Sequence, residues 1–323
     1  MDKIYHGEAR IATEKYKFTV EICWIYDTVK EKVIGGIFMK LTQFYADDQI
    51  RLGIVTDQGI VDVQAEAAIR GISAPTTMME AIYAGDAGRE VLDALAENTQ
   101  CFAQGSNAPV ITGCDKILCI GLNYRRHAME CNLPLPPAPV LFNKFSNALA
   151  ADGDEVYLDP AYVEYDYEAE LVAVMGKAAR NVSEEEALSY VFGYTCGNDL
   201  STRDLQFARS NQWLLSKTFD GFAPIGPCVV TADSIDGNDL AISSVVNGEL
   251  RQNSRTSDMI FSTAQIIADL SRHFTLLPGD LIFTGTPQGV MHGYPKDQKN
   301  WLKPGDRVEV TIEGIGTLHN TFR

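Results

Sequence analysis

One short stretch restricts the chain more than any other. Leu171-Val172-Ala173-Val174-Met175 carries valine at every other place and closes on Gly176-Lys177, which reads as a β-strand ended by a turn. Residues i and i+2 of a strand point to the same side, so the two acids that open it, Glu168 and Glu170, project next to each other. Two carboxylates that close repel. Either their face is open to water, as on a solvated sheet edge, or a cation lies between them.

A second apolar run, Tyr190 to Asn198, ends in Asp199. If that strand lies near the first, Asp199 completes a cluster of three acids. Oxygen donors without thiolate or imidazole suit Mg²⁺ or Mn²⁺, with water or substrate filling the remaining positions.

A chain of 323 residues can bury a large core, and one large domain with one small domain is its natural division. No apolar run approaches the roughly 20 residues that span a bilayer. The net charge of −16 argues against nucleic-acid or anionic-membrane partners. An anionic substrate must therefore meet local positive charge, from a metal, Arg or Lys. The seven cysteines are odd in number and none has Cys-x-x-Cys spacing, which points to reduced thiols and a cytoplasmic setting.

Residues 1–38 read as an N-terminal extension with a strand-like Val20–Tyr26 and without the layout of a signal peptide. Met39 is taken as the functional start, so deleting residues 1–38 is expected to leave folding and activity intact; loss of soluble protein would refute this. Residues 39–110 are expected to form a small α+β domain. It holds a hairpin, Arg51–Thr56 with Ile60–Val63, and helical spacing over Thr76–Tyr83 and Gly88–Leu95. Pro109 to Gly113 marks the boundary, and residues 114–323 form the main domain. It opens with the strand Lys116–Gly121 and a short helix from Tyr124 that sets His127 and Glu130 on one face. A proline-rich loop, the strand Val140–Lys144 and the acid-bearing strands follow. After a helix starting near Ser201, strands dominate, apart from one helix over Ser262–Phe274. The sequence is mainly β, unlike a doubly wound α/β sheet.

In order along the chain, Ile120-Gly121-Leu122-Asn123-Tyr124 with His127 and Glu130, Asp166-Tyr167-Glu168-Ala169-Glu170-Leu171, Asn198–Gln206, Ser216-Lys217-Thr218-Phe219, Val246–Gln252 and Thr284–Gly289 resemble the motifs of the fumarylacetoacetate hydrolase superfamily. The resemblance covers residues 116–323, and 39–110 resemble the small N-terminal domain of many members. It implies an α+β, mainly β fold, a mixed β-sandwich roll with a small N-terminal α+β domain, and a homodimer. It also implies Mg²⁺ or Mn²⁺ on Glu168, Glu170 and Asp199, and substrates that are 2-oxo or 2,4-dioxo acids. Phe145, where many members have proline, departs from the pattern at a pocket wall.

On that reading His127 acts as general base, with an ordinary imidazole pKa of about 6.5, and Glu130 orients it. Lys217 binds a substrate carboxylate or an oxyanion, or instead pairs with a metal acid. Arg203 and Gln206 reach the distal part of the substrate, or form a surface helix face. Asn123 and Tyr124 line the pocket or cap a turn, and the Thr286 hydroxyl approaches the substrate. His6, His273, His292 and His319 read as structural, while the loop Met291–Pro295 shapes the distal wall. The leading expectation is a metal-dependent hydrolase cleaving a C–C bond of acylpyruvate- or fumarylpyruvate-type acids. The alternative is a decarboxylase, isomerase or lyase on an oxaloacetate, 2-hydroxyhepta-2,4-dienedioate or ureidoglycolate type of acid. A non-catalytic metabolite-binding scaffold is a third reading, which loss of turnover with retained metal binding in His127→Ala would exclude.

Overall fold

The computed structural model describes residues 39–208 and 212–323. The extension 1–38, with its strand-like Val20–Tyr26, His6 and Cys23, lies outside the described residues. Chain order begins with an antiparallel meander, β1 (Lys40–Ala46), β2 (Gln49–Thr56) and β3 (Gly59–Asp62). Asp47 and Asp48 turn the first hairpin with φ of 50° and 61°, a left-handed pair that aspartate tolerates better than most residues. Asp62 then caps α1 (Val63–Arg70) by accepting from Ala65 N, and Gly71 ends that helix at φ 65°. The sequence reading carried the β-strand on into Val63 and missed α1; the Asp62 cap is what turns the chain. The two helical segments expected downstream both lie within α2 (Met78–Ala96), which Thr77 caps and which Gly85, at φ 55° and ψ −137°, divides in two.

After β4 (Asn107–Ala108) the chain enters the larger part. It contributes β5 (Ile117–Gly121), α3 (Arg125–Glu130), β6 (Val140–Lys144), β7 (Leu149–Ala150), β8 (Glu155–Val156), β9 (Tyr165–Asp166) and β10 (Ala169–Met175). Next come α4 (Glu184–Ala187), β11 (Val191–Asn198), β12 (Ser201–Thr202), α5 (Arg203–Ala208), α6 (Leu214–Lys217) and β13 (Ala223–Thr231). The chain closes through β14 (Ala241–Val246), β15 (Glu249–Arg255), α7 (Thr263–His273), β16 (Leu281–Phe283), β17 (Arg307–Ile312) and β18 (Gly316–Phe322). Ser262 and Gln265 form a reciprocal capping box that fixes the start of α7.

The large sheet runs β3-β2-β1-β13-β11-β10-β16-β5-β6, and a second sheet runs β15-β14-β17-β18-β8. Strand β10 is buried along its whole length, with neighbours on both sides: Val172 faces Thr195 of β11 and Phe283 of β16. Its alternation divides two cores. Leu171, Ala173 and Met175 pack with Ile242, Val310 and Ile312 of the second sheet, which makes the sandwich. Val172 and Val174 pack on the other face with Ile117, Phe283, Met78 and Leu92. Residues 39–110 thus share a core with the residues beyond 114, and β1 joins β13 at Lys40↔Val230.

Candidate active site

The site forms where β10 begins and β11 ends. Ala169↔Asn198 is the last paired register, the amide of Asp199 donates to Glu168 O at 2.9 Å, and Asn198 Oδ1 accepts from Glu168 N at 3.0 Å. Those bonds hold the three acids at one sheet end. Glu168, Glu170 and Asp199, all buried, each offer a carboxylate oxygen, and these oxygens lie within 4.8 Å of one another. The company anticipated for Glu168 and Glu170 is met by Asp199, and the open sheet edge is excluded by burial.

Cations surround two of the three acids. Lys217 Nζ bridges Glu168 Oε2 at 2.7 Å and Asp199 Oδ2 at 2.9 Å. Arg203 Nη2 pairs with Glu168 Oε1, and Lys144 Nζ lies 2.7 Å from Asp199 Oδ1. Burial pushes the Glu168 carboxyl up, but Lys217 and Arg203 more than reverse this and hold it well below the usual range. Burial likewise opposes the charge of Lys217, and the carboxylates of Asp199 and Glu168 overcome it. Glu170 differs. Its Oε2 accepts a hydrogen bond from Gly285 N at 2.8 Å, and burial followed by the charges of Asp199 and Glu168 drives its pKa far upward.

That imbalance tests whether a metal fits. A buried carboxylate facing two others, without an ammonium or guanidinium of its own among the described residues, is stabilised as an anion only by an added cation. All-oxygen donors fit a hard divalent ion. Glu168, Glu170 and Asp199 are the residues that would hold it.

His127 and Glu130 sit on α3, one turn apart, with Nδ1 3.2 Å from Oε2. Burial works against the charged imidazole, yet Cys131 and Glu130 beside it and Glu168 farther off raise its pKa to about 9. The Cys131 sulfur is 3.9 Å from Nδ1, a neighbour the sequence reading passed over. Gly289 N donates to both oxygens of Glu130, at 3.0 and 3.2 Å, which fixes the carboxylate. Leu122, at φ 53° in the turn before α3, is a left-handed non-glycine residue where the chain leaves β5 for the site.

The other candidates are bound into the protein. Arg203 directs Nε to Asp166 at 2.9 Å, Nη1 to Gln206 at 2.9 Å and Nη2 to Glu168. In this structure it braces an acid of the cluster, with Gln206 as its support, and its distal reach toward substrate is taken up by these bonds. Lys217 takes the place that pairs it with the acids. Asn123 Nδ2 donates to Phe261 O and Thr284 O, and its Oδ1 accepts from Phe261 N, so its amide joins two loops as a turn-capping group does. The Thr286 hydroxyl donates to Ala169 O at 3.0 Å and accepts from Gln252 Nε2 at 2.8 Å; it ties the 284–287 turn to β10. Tyr124 is the exception: its hydroxyl is buried without a hydrogen-bond partner among the described residues, and burial followed by the charge of Glu170 raises its pKa.

Four partners escaped the sequence reading of the site. Lys144 was read only as a strand residue, yet Nζ is held by the carbonyls of Leu200, Phe222 and Lys217 against Asp199. A lysine ending an apolar strand was the available signal. Gln252 uses its whole amide, accepting from Ala169 N and Ser244 Oγ and donating to Thr286 and Pro287 O. Asp166 pairs with Arg203. His292, read as structural, has its ring 5.2 Å from that of Phe207 at a tilt of 30°, and burial followed by Arg203 lowers its pKa to about 4. Two surface clefts of about 410 and 420 Å³ lie elsewhere, one between Pro137–Pro139 and α7, the other around Asp233–Gly237. Neither includes a residue of the acid cluster.

A sandwich of mixed sheets places a buried three-acid cluster that could hold a metal ion beside a His–Glu pair. Residues 116–323 match the model of the fumarylacetoacetate (FAA) hydrolase C-terminal family, and the chain belongs to that family. It is 39% identical over 294 residues to a Xenopus laevis protein named oxaloacetate tautomerase, mitochondrial, spanning 88% of this chain and 90% of that one. Among solved structures, fumarylacetoacetate hydrolase from Exiguobacterium antarcticum is similar at 33% identity and TM-score 0.75, over 88% of this chain and 99% of the other. Maleylpyruvate hydrolase from Sphingobium sp. SYK-6, in complex with manganese(II) and pyruvate, is similar at 29% identity and TM-score 0.71, over 88% and 98%.

Proposed function

We propose that the protein is a Mg²⁺- or Mn²⁺-dependent enzyme that interconverts the enol and keto forms of oxaloacetate. The carrying observation is the His127–Glu130 pair, its imidazole buried and its half-buried carboxylate fixed by Gly289, beside an acid cluster. The likeness to a protein named oxaloacetate tautomerase supports the choice of substrate. When bound, the cation supplies a Lewis acid that stabilises negative charge on the enolised 2-oxo acid.

The chain's own residues handle the proton. Glu130 faces Nδ1 of His127, so Nε2, with the Cys131 sulfur 4.0 Å away, is the nitrogen offered to substrate. With its pKa near 9 the imidazole holds a proton at neutral pH, so it begins as an acid. It gives that proton to the methylene-forming carbon of the enol, and the enol hydroxyl proton returns to the imidazole as the carbonyl forms. The net change is isomerisation without another reactant. Lys217 and Arg203 keep Glu168 ionised throughout.

Once the imidazole has lost its proton, the same pair could instead take one from water and so cleave a 2,4-dioxo acid, a reading favoured by the likeness to maleylpyruvate hydrolase. Enol oxaloacetate followed by its ultraviolet absorbance, beside a panel of acylpyruvates with Mn²⁺, separates the two. Tautomerisation with slow acylpyruvate turnover is expected; the reverse preference overturns the reading. His127→Ala is expected to lower turnover by about 10²–10⁴-fold. Glu168→Gln is expected to weaken Mn²⁺ binding together with activity, and full activity in excess chelator would remove the metal from the scheme.

Setting and assembly belong to the same reading. Six free cysteines among the described residues favour a reducing compartment, the cytoplasm or, by analogy with the Xenopus protein's name, mitochondria. A homodimer is supported by β6, an edge strand of the large sheet that carries exposed Leu141 and is followed by exposed Phe145.

A further inference from the structure

Asp166 lies on β9, two residues before Glu168, and is sealed from solvent. Its carboxylate accepts four hydrogen bonds. Oδ1 receives Tyr167 N at 3.0 Å and Met291 N at 2.8 Å, while Oδ2 receives His292 N at 2.9 Å and Arg203 Nε at 2.9 Å. These partners lead in two directions. Arg203 continues to Glu168, in the acid cluster. Met291 and His292 belong to the segment 287–294, which also holds Glu130.

That second link is tight. Gly289 N donates to both Glu130 oxygens, and Tyr167, next to Asp166, donates its hydroxyl to Gly289 O at 2.9 Å. At Gly293 an added Cβ would lie 2.3 Å from the Glu130 carboxyl carbon, so the backbone rests directly on that carboxylate. One carboxylate therefore touches both the brace of the acid cluster and the segment that clamps the partner of His127.

We propose that Asp166 is a positioning residue that couples the two halves of the site, fixing Glu168 through Arg203 and Glu130 through the backbone of 289–293. This rests on the reading that His127 and Glu130 carry the proton. A saturated buried carboxylate suits the role because it accepts on both oxygens at once. An asparagine keeps one acceptor oxygen but turns an NH₂ toward donors on the other side, which breaks the links to His292 N and Arg203.

The test is Asp166→Asn in the full chain, with three readouts. Hydrogen exchange is expected to quicken at Met291 and His292, and also at Gly289, which Asp166 does not touch. Mn²⁺ alone, titrated calorimetrically, is expected to bind about tenfold more weakly. With oxaloacetate, kcat is expected to fall about 10- to 100-fold with KM within threefold. Adding Glu130→Gln to Asp166→Asn should then lower kcat by less than twofold further, because both changes undo the same arrangement. Unchanged Gly289 exchange, or full additivity of the two substitutions, overturns the proposal. If Asp166→Asn does not accumulate as folded protein, Arg203→Lys replaces it, since lysine cannot serve Asp166 and Glu168 through a fixed fork. Faster Gly289 exchange is again expected, and unchanged exchange again overturns the coupling. Exchange and Mn²⁺ binding do not depend on oxaloacetate as substrate, so a wild type inactive on it refutes the functional reading and leaves the coupling to be decided by those two readouts.

Discussion

At the scale of single residues, the decisive contrast is between Glu168 and Glu170. They are two positions apart, Glu168 just before β10 and Glu170 within it, yet one carboxyl is held down by Lys217 and Arg203 and the other is driven up by burial and by its acidic neighbours. The sign for stability follows. A carboxyl whose folded pKa is raised binds its proton more tightly when folded, so in chelator the Glu170 contribution falls as pH rises from about 4.5 toward neutrality. Glu170→Gln, which carries no charge, is expected to flatten the decline of the melting temperature from pH 5 to 8 in chelator and to abolish the rise that Mn²⁺ gives the wild type. An unaltered slope would show that the charge of Glu170 is balanced in some other way. His127 runs the same way by a different route: the contacts of its charged ring with Cys131 and Glu130 outweigh burial, and their stabilisation is full below about 6.5 and lost as pH rises through about 9.

At the scale of elements, helix α1 depends on one buried acid. Glu66 accepts from Arg70 within the helix and from Thr99, Gln100 N and Cys101 N of the following segment. Burial pushes its carboxyl up, and these donors outweigh that and bring it to about 2. Its contribution is therefore present above about 4.5 and lost as pH falls toward 2. Glu66→Ala leaves the two amides without their acceptor and is expected to cost about 2 kcal/mol in denaturant unfolding, a figure set by hydrogen bonds to a charged group. A loss below about 0.5 kcal/mol would mean that water replaces the carboxylate. Strand β10 was legible because its alternation is strict. Helix α1 was not, because Val61-Asp62-Val63 continues the strand pattern and only the cap at Asp62 separates the elements.

At the scale of the whole molecule, the open edge at β6 leads to a measurement. Sedimentation equilibrium is expected to give twice the chain mass, and Leu141→Lys to shift the species toward monomer by setting a charge on the edge. A monomer at micromolar concentration would remove the assembly from the functional reading. The two cores on either side of β10 explain why residues 39–110 and the later strands pack as neighbours despite the break near Pro109: Met78 and Leu92 share the core of Val172 and Val174.

By itself the sequence determined the strand that carries Glu170, with Glu168 just ahead of its start, the pairing of His127 with Glu130 one helical turn on, and the choice of Asp199 as third acid. Each of these is a matter of local periodicity or of a motif's order along the chain. Only the tertiary structure decided what balances the acids. Lys144, Gln252 and the backbone of Gly285 and Gly289 reach the site from distant segments, Asp166 is tied to it through Arg203, and hydrogen-bond saturation and burial, which turn Arg203, Asn123 and Thr286 into internal braces, have no signature in residue spacing. A charge's partner is set by three-dimensional proximity, and that is the quantity a linear pattern does not contain.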